Sequence, residues 1–285
     1  MFININGKFY KEKDAKISVL DRGFLYGDGV FETMRVYKGR IFTLEKHLDR
    51  FKNSCGKILL RIPKSMKEIE AGLYKTLKEN KLEDKDAVLR MSITRGTGPF
   101  GLSIEGCSNP VIVIGARAFY PYPEKFYTKG VKVNILKRFR VYSSSILGGI
   151  KSNNYLLNVL ARNEAPESGS FETVLVNEKG HVTEGTVSNI FLVKNGVLIT
   201  PPVSVGILPG ITRGIVLELA GKMNIEIREK LFKPDFIYSA DEMFLTNISI
   251  EILPVGKVNG KIINSGKPGE MTVELIYKFR DLVRG

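Results

Sequence analysis

The sequence predicts an α+β protein of two domains. In its second half, strand patterns occur as hairpins with short turns and helical patterns lie apart from them, unlike the regular alternation of a doubly wound parallel sheet. Residues 119–124 carry prolines at alternate positions without periodicity, which is typical of a linker. A chain of 285 residues can form two modest cores. We therefore expect a small N-terminal α/β domain over 1–118, a linker over 119–126 and a larger, hairpin-rich C-terminal domain over 127–285.

The first half is predicted to combine a sheet with two helices. Weak alternation around Asn6-Gly7 predicts a strand pair over 2–10. Gly29–Tyr37 is predicted as a strand, and its period of two places Phe31, Thr33, Arg35 and Tyr37 on one face. Periodicity predicts further helices over 44–58 and about 65–80, and further strands over 88–94 and 111–118.

The second half is predicted to be built from hairpins and three helices. Asn195-Gly196 is a strong hairpin signal between strands over 189–194 and 197–200. A second hairpin is predicted to join 172–177 to 181–183. The predicted helices cover 152–165, 212–224 and about 270–283, and the first has Leu156, Val159, Leu160 and Asn163 on one side.

Composition excludes several classes of protein. The 43 Lys and Arg against 30 Asp and Glu give a net charge of +13, but the lysines are scattered and no nucleic-acid-binding signature is present. No apolar run is long enough to cross a bilayer, and the first ten residues lack the pattern of a secretory leader. Two cysteines and two histidines argue against a disulfide framework or a His-rich metal site. We expect a cytoplasmic enzyme that binds neither nucleic acid, membrane nor metal.

Lys151 is the first candidate for chemistry. It lies between a Gly-rich approach and the predicted start of the helix over 152–165. The positive end of a helix dipole disfavours an ammonium, so burial there lowers the pKa of the lysine and supplies the neutral amine that a Schiff base requires. The alternative is an ordinary solvated lysine.

Three further residue groups indicate an anionic or aromatic ligand. Glu184 ends a hairpin strand among apolar strands, where a carboxylate needs a partner such as a protonated pyridine nitrogen, unless it only caps a turn or forms a salt bridge. Pro209-Gly210 precedes a helix that begins at Ile211-Thr212, which suits phosphate or is a plain N-cap. Arg50 lies off the apolar stripe of its helix and is either an anion ligand or a solvent-facing arginine.

Six motifs occur in an order that resembles the class IV, fold type IV pyridoxal phosphate enzymes. This family includes branched-chain aminotransferases, D-amino acid aminotransferases and aminodeoxychorismate lyases. The resemblance covers nearly the whole chain. The motifs are Asp21-Arg-Gly-Phe-Leu-Tyr-Gly-Asp-Gly-Val-Phe-Glu-Thr33, His47-Leu-Asp-Arg50, Lys151-Ser-Asn-Asn-Tyr155, Thr183-Glu-Gly-Thr-Val-Ser-Asn189, Leu208-Pro-Gly-Ile-Thr-Arg213 and Glu242-Met-Phe-Leu-Thr-Asn-Ile-Ser-Ile-Glu251.

The resemblance implies pyridoxal 5′-phosphate as cofactor and a homodimer whose active site is shared between chains. It implies that Lys151 bonds to the cofactor as a Schiff base and moves the substrate proton, and that Glu184 faces the pyridine nitrogen. It further implies that Arg50, Ile211 and Thr212 contact the phosphate and that Tyr155 contacts the phenolic oxygen of the cofactor. Ile248-Ser249 would contact the phosphate or the substrate carboxylate. The implied substrate contacts are Phe31, Thr33 and Arg35.

The motifs indicate the family more clearly than they indicate which of its activities this chain has. Phe100-Gly101-Leu102 stands where D-amino acid enzymes carry an Arg-x-His carboxylate trap, so such an enzyme would lack its usual trap. Tyr155 and Arg90 fit a branched-chain enzyme, whereas Asn247 and the run 94–98 resemble the aminodeoxychorismate lyases. We expect transamination of a branched-chain-like L-amino acid with a 2-oxo acid, and the lyase and the D-amino acid enzyme remain alternatives.

Overall fold

The computed structural model describes residues 1–142, 148–167 and 169–284, which divide into two compact units. The first unit comprises 1–120 and 150–154, and the second comprises the described parts of 121–149 and 155–285. The segment 150–154 belongs to the first unit because its backbone pairs with the strand Gly29–Tyr37. The domain bounds 1–118, 119–126 and 127–285 stay a prediction.

The first unit is an antiparallel sheet with two long helices. The sheet has the order β2-β1-β6-β5-β3-β4. Its elements, in chain order, are β1 (Phe2–Ile5), β2 (Lys8–Lys11), α1 (Arg22–Tyr26), β3 (Gly29–Tyr37), β4 (Arg40–Ile41), α2 (Leu44–Lys57), α3 (Met66–Glu79), β5 (Ala87–Thr94) and β6 (Val111–Ala118).

Local sequence signals explain the two helices. Helix α3 starts at a capping box: the Ser65 hydroxyl accepts from the Glu68 N–H at 3.3 Å, and the Glu68 carboxylate accepts from the Ser65 N–H at 2.8 Å. Both helices bury an apolar stripe against one face of the sheet. The core of this unit includes Met34, Leu48, Phe51, Leu73, Leu77, Leu89, Met91 and Ile114.

The second unit is a mixed sheet with the path β12-β11-β10-β13-β14-β7-β8-β9, and β15 pairs with β14. Strand β7 is parallel to both β8 and β14, and β11 is parallel to β12. The elements are α4 (Lys125–Lys129), β7 (Val131–Val141), α5 (Leu156–Glu167), β8 (Glu172–Asn177), β9 (Val182–Gly185), β10 (Asn189–Lys194), β11 (Val197–Thr200), α6 (Ile211–Lys222), β12 (Ile227–Glu229), α7 (Pro234–Ile237), β13 (Glu242–Asn247), β14 (Glu251–Val258), β15 (Lys261–Ile262) and α8 (Glu270–Arg284).

The predicted hairpin at Asn195-Gly196 is confirmed between β10 and β11. Both turn residues have positive φ, 49° and 76°, which is the conformation that this dipeptide favours. In the sheet, Phe191 of β10 lies opposite Phe244 of β13, and their rings stack with centroids 5.0 Å apart. The residues that alternate with them, among them Ile190, Leu192, Met243 and Leu245, belong to the hydrophobic core on the other face of the sheet. The α+β class predicted from the hairpins is therefore confirmed.

The structure corrects the predicted helix over 152–165. Helix α5 begins at Leu156, because Ser152 and Asn153 make strand-like contacts with β3. Its apolar side chains Leu156, Val159 and Leu160 are exposed, whereas the stripe suggested a core-facing side. Strands β7, β13 and β14 were not predicted, and Pro254 and Gly256 within β14 obscure its pattern.

No helix among the described residues is both long and apolar enough to span a membrane. Within the same residues, no group of three or more His, Cys, Asp or Glu side chains is placed to hold a metal ion.

Candidate functional site

Lys151 is held by backbone pairing to β3. Its carbonyl oxygen accepts from the Phe31 N–H at 2.8 Å, and Asn153 N–H donates to the Gly29 carbonyl at 2.9 Å. The half-buried side chain places Nζ 4.6 Å from the centroid of the Phe31 ring. The prediction that Lys151 lies at a helix N-terminus is wrong, because α5 starts five residues later. An extended segment, and not a helix dipole, sets the position of this amine.

The predicted face of β3 carries a cluster around Lys151. Thr33 lies opposite Arg90 in the pairing of β3 with β5, and the Arg90 guanidinium carbon is 3.8 Å from the centroid of the Phe31 ring. The structure thus brings Phe31, Thr33, Arg90 and Lys151 together within the first unit. An aromatic ring beside a guanidinium suits a molecule with an apolar part and a carboxylate.

Arg35 shares that face but is engaged elsewhere. Its Nη2 donates to Asp86 at 2.9 Å, and its guanidinium carbon lies 3.3 Å from the centroid of the Phe119 ring. The side chain is buried. Its role in substrate binding stays a prediction, and the contacts seen here are those of a structural ion pair.

Arg50 on α2 is not a solvent-facing arginine, since its side chain is only 12% exposed. It donates from Nε and Nη2 to the two oxygens of Glu32, each at 2.8 Å. His47 Nδ1 also lies 2.8 Å from Glu32 Oε2. Glu32 and His47 are not among the functional residues predicted from the sequence. The available signal was a carboxylate on the face of β3 that carries Val30, Met34 and Val36.

We predict that Glu32 makes this protein sensitive to acid. Burial by itself raises the pKa of Glu32, but the hydrogen bonds from Arg50 and His47 outweigh it and lower the pKa from 4.5 to about 2. A group with a lowered pKa stabilises the fold above its unfolded pKa, and that stability, about 3 kcal/mol, is lost as pH falls toward the folded pKa. The thermal midpoint of the wild type should fall more steeply below about pH 5 than that of Glu32→Gln. Parallel curves would contradict the prediction.

In the second unit, Glu184 on β9 is half-buried, and its carboxylate accepts hydrogen bonds from two neighbouring residues. The Leu208 N–H lies 3.2 Å from each of its carboxylate oxygens, and Asn189 Nδ2 donates to Oε2 at 3.2 Å. Asn189 Nδ2 also donates to the Leu208 carbonyl at 2.9 Å. A Cβ on Gly210 would lie 2.0 Å from Asn189 Oδ1, so any other residue there would displace the Asn189 side chain. These contacts connect the acid to the segment that enters α6.

The start of α6 presents backbone hydrogen-bond donors. Gly210 is the N-cap and provides no side-chain cap, so the first N–H groups, those of Ile211 and Thr212, have no acceptor within the helix. Thr212 is 2% exposed, and among the described residues none is a hydrogen-bond partner of its Oγ1. A buried hydroxyl beside helix N–H groups is suited to bind an anion.

The remaining predicted residues have mixed surroundings. Tyr155 is half-buried just before α5, and its carbonyl accepts from the Val159 N–H at 2.8 Å. Ile248 and Ser249 lie in the turn between β13 and β14. The Ser249 N–H already donates to Asn247 Oδ1 at 2.8 Å, so the structure gives this amide a partner within the protein. The proposed contacts of Ile248 and Ser249 stay predictions.

A second buried carboxylate, Glu172 on β8, supports the turn that follows Glu184. It is fully buried and accepts from the Thr186 N–H at 3.2 Å and from the Ser188 hydroxyl at 3.1 Å. Asn158 Nδ2 donates to the Thr186 carbonyl at 2.7 Å. These hydrogen bonds hold the turn that follows Glu184 against β8 and α5. Glu172 is not among the residues predicted from the sequence, although an acid at the start of the apolar strand β8 was a signal.

The donor set fits a phosphorylated pyridine. One end of the site in the second unit supplies helix N–H groups and an unpartnered hydroxyl at α6, which suit a phosphate. Its other end supplies the carboxylate of Glu184, which suits a protonated ring nitrogen. These two ends are joined through Leu208 and Asn189.

Comparisons with known proteins agree with this chemistry. The family model of the class IV aminotransferases matches residues 29–258. The chain is 42% identical, over 99% of its length and 96% of the relative, to a Methanocaldococcus jannaschii protein provisionally named a branched-chain-amino-acid aminotransferase. It is 34% identical to the D-alanine aminotransferase of Bacillus licheniformis, over 95% and 93% of the two chains.

A solved structure shows the same fold. The branched-chain amino acid aminotransferase of Escherichia coli superposes with a TM-score of 0.93 at 29% identity, covering 99% of this chain and 94% of that one. The profile match spans most of the chain, and the relatives align over nearly its whole length. The chain therefore belongs to the class IV aminotransferase family and is a pyridoxal-phosphate-dependent transaminase of fold type IV.

Proposed function

We propose that this transaminase moves the amino group of a branched-chain-like L-amino acid to a 2-oxo acid such as 2-oxoglutarate. The observation that carries the proposal is the pairing of the Phe31 ring with the Arg90 guanidinium beside Lys151. Arg90 would bind the substrate carboxylate and Phe31 would pack against an apolar side chain. The named activities of the Methanocaldococcus jannaschii and Escherichia coli proteins support the same substrate class.

The residues have distinct proposed tasks. Bound pyridoxal phosphate supplies an aromatic ring that accepts the electron pair left at the substrate Cα when its proton is removed. Lys151 would hold the cofactor covalently, and its free amine would carry the proton from the substrate Cα. Glu184 keeps the ring nitrogen protonated. The proposed phosphate ligands are Arg50, Ile211 and Thr212. Further proposed cofactor contacts are Tyr155 and Ile248. The proposed substrate contacts are Phe31, Thr33, Arg35, Arg90 and Ser249.

The test compares three amino donors under one assay. Purified protein is mixed separately with L-leucine, D-alanine and aminodeoxychorismate, and the visible spectrum of the cofactor is followed before and after addition of 2-oxoglutarate. We expect L-leucine to bleach the spectrum and 2-oxoglutarate to restore it. Conversion of D-alanine alone, or release of 4-aminobenzoate, would overturn the proposed substrate and leave the family assignment intact.

We predict that Thr212→Val weakens cofactor binding without destabilising the fold. The Oγ1 atom has no hydrogen-bond partner among the residues that the structure describes, so valine removes no bond within the protein. Toward phosphate, the hydroxyl would make a charge-assisted hydrogen bond, worth roughly 10- to 100-fold in affinity. Equilibrium titration of the stripped protein with pyridoxal phosphate measures the loss.

A matched control is Thr272→Val. Its hydroxyl is also buried and without a partner in the described part of the chain, but it lies on α8. The control should bind the cofactor as the wild type does. Equal affinities for the two variants would remove Thr212 from the phosphate site.

We further propose a cytoplasmic homodimer whose active site takes residues from both chains. Exposed apolar side chains support it: Phe24 is 70% exposed, Phe100 84% and Leu102 81%. Arg22 Nη1 donates to the Gly101 carbonyl at 2.9 Å, which holds this loop beside α1. A second copy that covers these side chains would remove a large apolar area from water. Sedimentation at the mass of a single chain would contradict the dimer.

A further inference from the structure

Glu32 is a buried carboxylate in an apolar environment. Its neighbours on the same face of β3, Val30, Met34 and Val36, all belong to the core, and Glu32 itself is fully buried. A carboxylate there is unfavourable unless hydrogen bonds and an opposite charge compensate it. An apolar residue would serve packing better, so the acid calls for an explanation beyond stability.

The compensation comes from one turn of helix α2. Arg50 donates from Nε and Nη2 to the two Glu32 oxygens, a bidentate arrangement with both distances at 2.8 Å. His47, three residues earlier on the same face, places Nδ1 2.8 Å from Oε2. Burial lowers the pKa of His47, so the ring is neutral and its Nδ1–H donates to Glu32. The carboxylate is thus held at both oxygens.

This arrangement fixes the plane of the Arg50 guanidinium. A guanidinium has five N–H donors in a rigid fork, and the two contacts with Glu32 fix its orientation. An arginine on a flexible stem must otherwise lose its rotamer freedom when it binds an anion. An arginine that is already held in place loses less on binding.

We propose that Glu32, braced by His47, is the positioning residue that holds the Arg50 guanidinium for the cofactor phosphate. The inference rests on the proposed role of Arg50 as a phosphate ligand. According to this inference, Glu32, His47 and Arg50 act together in recognition of the phosphate. Glu32 itself is too deeply buried to touch the cofactor and acts through Arg50.

The test uses two ligands that differ only in the phosphate. Full-length protein stripped of cofactor is titrated with pyridoxal 5′-phosphate and with pyridoxal, which share the aldehyde and the ring. We expect Glu32→Gln to weaken binding of the phosphorylated ligand by roughly tenfold or more and to leave pyridoxal binding unchanged. Arg50→Lys should likewise weaken binding of the phosphorylated ligand only. The double variant should lose no more affinity for it than the single variant with the larger loss.

The control is Asp28→Asn, which removes a carboxylate that accepts from Arg22 and Arg95 in the same unit at 2.8–3.0 Å. It should not change the preference for the phosphorylated ligand. Equal losses for both ligands in Glu32→Gln would mean a general structural role and would overturn the inference.

Two further outcomes separate the inference from the proposed function. If Arg50→Lys keeps the phosphate preference while Thr212→Val loses it, the inference fails and the transaminase site stands. If Glu32→Gln does not fold, His47→Asn tests the proposal instead. This variant alters the hydrogen bond from His47 to Glu32 and should bind pyridoxal 5′-phosphate a few-fold more weakly, with pyridoxal binding unchanged. An unchanged preference in that folded variant contradicts the proposal.

Discussion

Replacement of Lys151 by alanine is expected to abolish covalent attachment of the cofactor and to lower turnover by several orders of magnitude. The nucleophile and the proton carrier are lost together, so both halves of the reaction stop. Folding should persist, because the segment is held by its backbone: the Lys151 carbonyl accepts from the Phe31 N–H, and alanine preserves this bond. The measurements are steady-state turnover and a peptide map after borohydride reduction, which should place the phosphopyridoxyl group on Lys151 in the wild type.

Two controls sharpen this experiment. Lys67→Ala removes an exposed lysine of α3 and should leave both attachment and turnover unchanged. A small primary amine added to Lys151→Ala should restore part of the turnover, since it can carry the proton that the lysine carried. A reduced adduct on any other lysine of the wild type would show that Lys151 is wrongly assigned.

The second large effect is expected for Glu184→Gln. An amide cannot hold a proton at the ring nitrogen by charge, so removal of the substrate Cα proton should slow by roughly 10²–10³-fold, the loss typical of one preorganised electrostatic group. Cofactor affinity should change little, because the donors at α6 are untouched. The glutamine oxygen can still accept from the Leu208 N–H, which limits disturbance of the loop. Single-turnover bleaching of the cofactor by a good amino donor measures the rate.

The matched control is Glu226→Gln, a surface acid of the same unit that pairs with Arg228. It should react at the wild-type rate. If Glu184→Gln also reacts at the wild-type rate, Glu184 has only a structural role in its hydrogen bonds with Leu208 and Asn189. That is the alternative that the sequence left open.

Much of the fold could be predicted from local patterns. The bounds of β3, β6, β10 and β11 agree with those predicted, because alternation, Gly-containing turns and the Asn195-Gly196 signal are all short-range. Helix α3 begins at its capping box for the same reason. The ordered motifs predicted the family, and the family model match and the aligned relatives confirm it.

Contacts between distant segments could not be predicted in this way. Lys151 was expected at a helix N-terminus, but 150–154 pairs with β3, about 120 residues earlier in the chain, and α5 starts later. The apolar stripe of α5 indicated burial, yet Leu156, Val159 and Leu160 are exposed in the chain on its own. Periodicity predicts that a helix has an apolar side but not what covers it.

The sequence by itself determined the α+β class, most strand and helix positions and the family, and it supplied the candidate residues for a phosphorylated pyridine, which stay a proposal. Only the tertiary structure decided how those residues are supported. It paired Glu32 with Arg50 and His47, tied Glu184 to Leu208 through Asn189, and left the Thr212 hydroxyl buried without a partner among the described residues. The reason is physical: a local pattern reports which face of an element is apolar, whereas a buried charge is stabilised by partners that only the folded chain brings within hydrogen-bond distance.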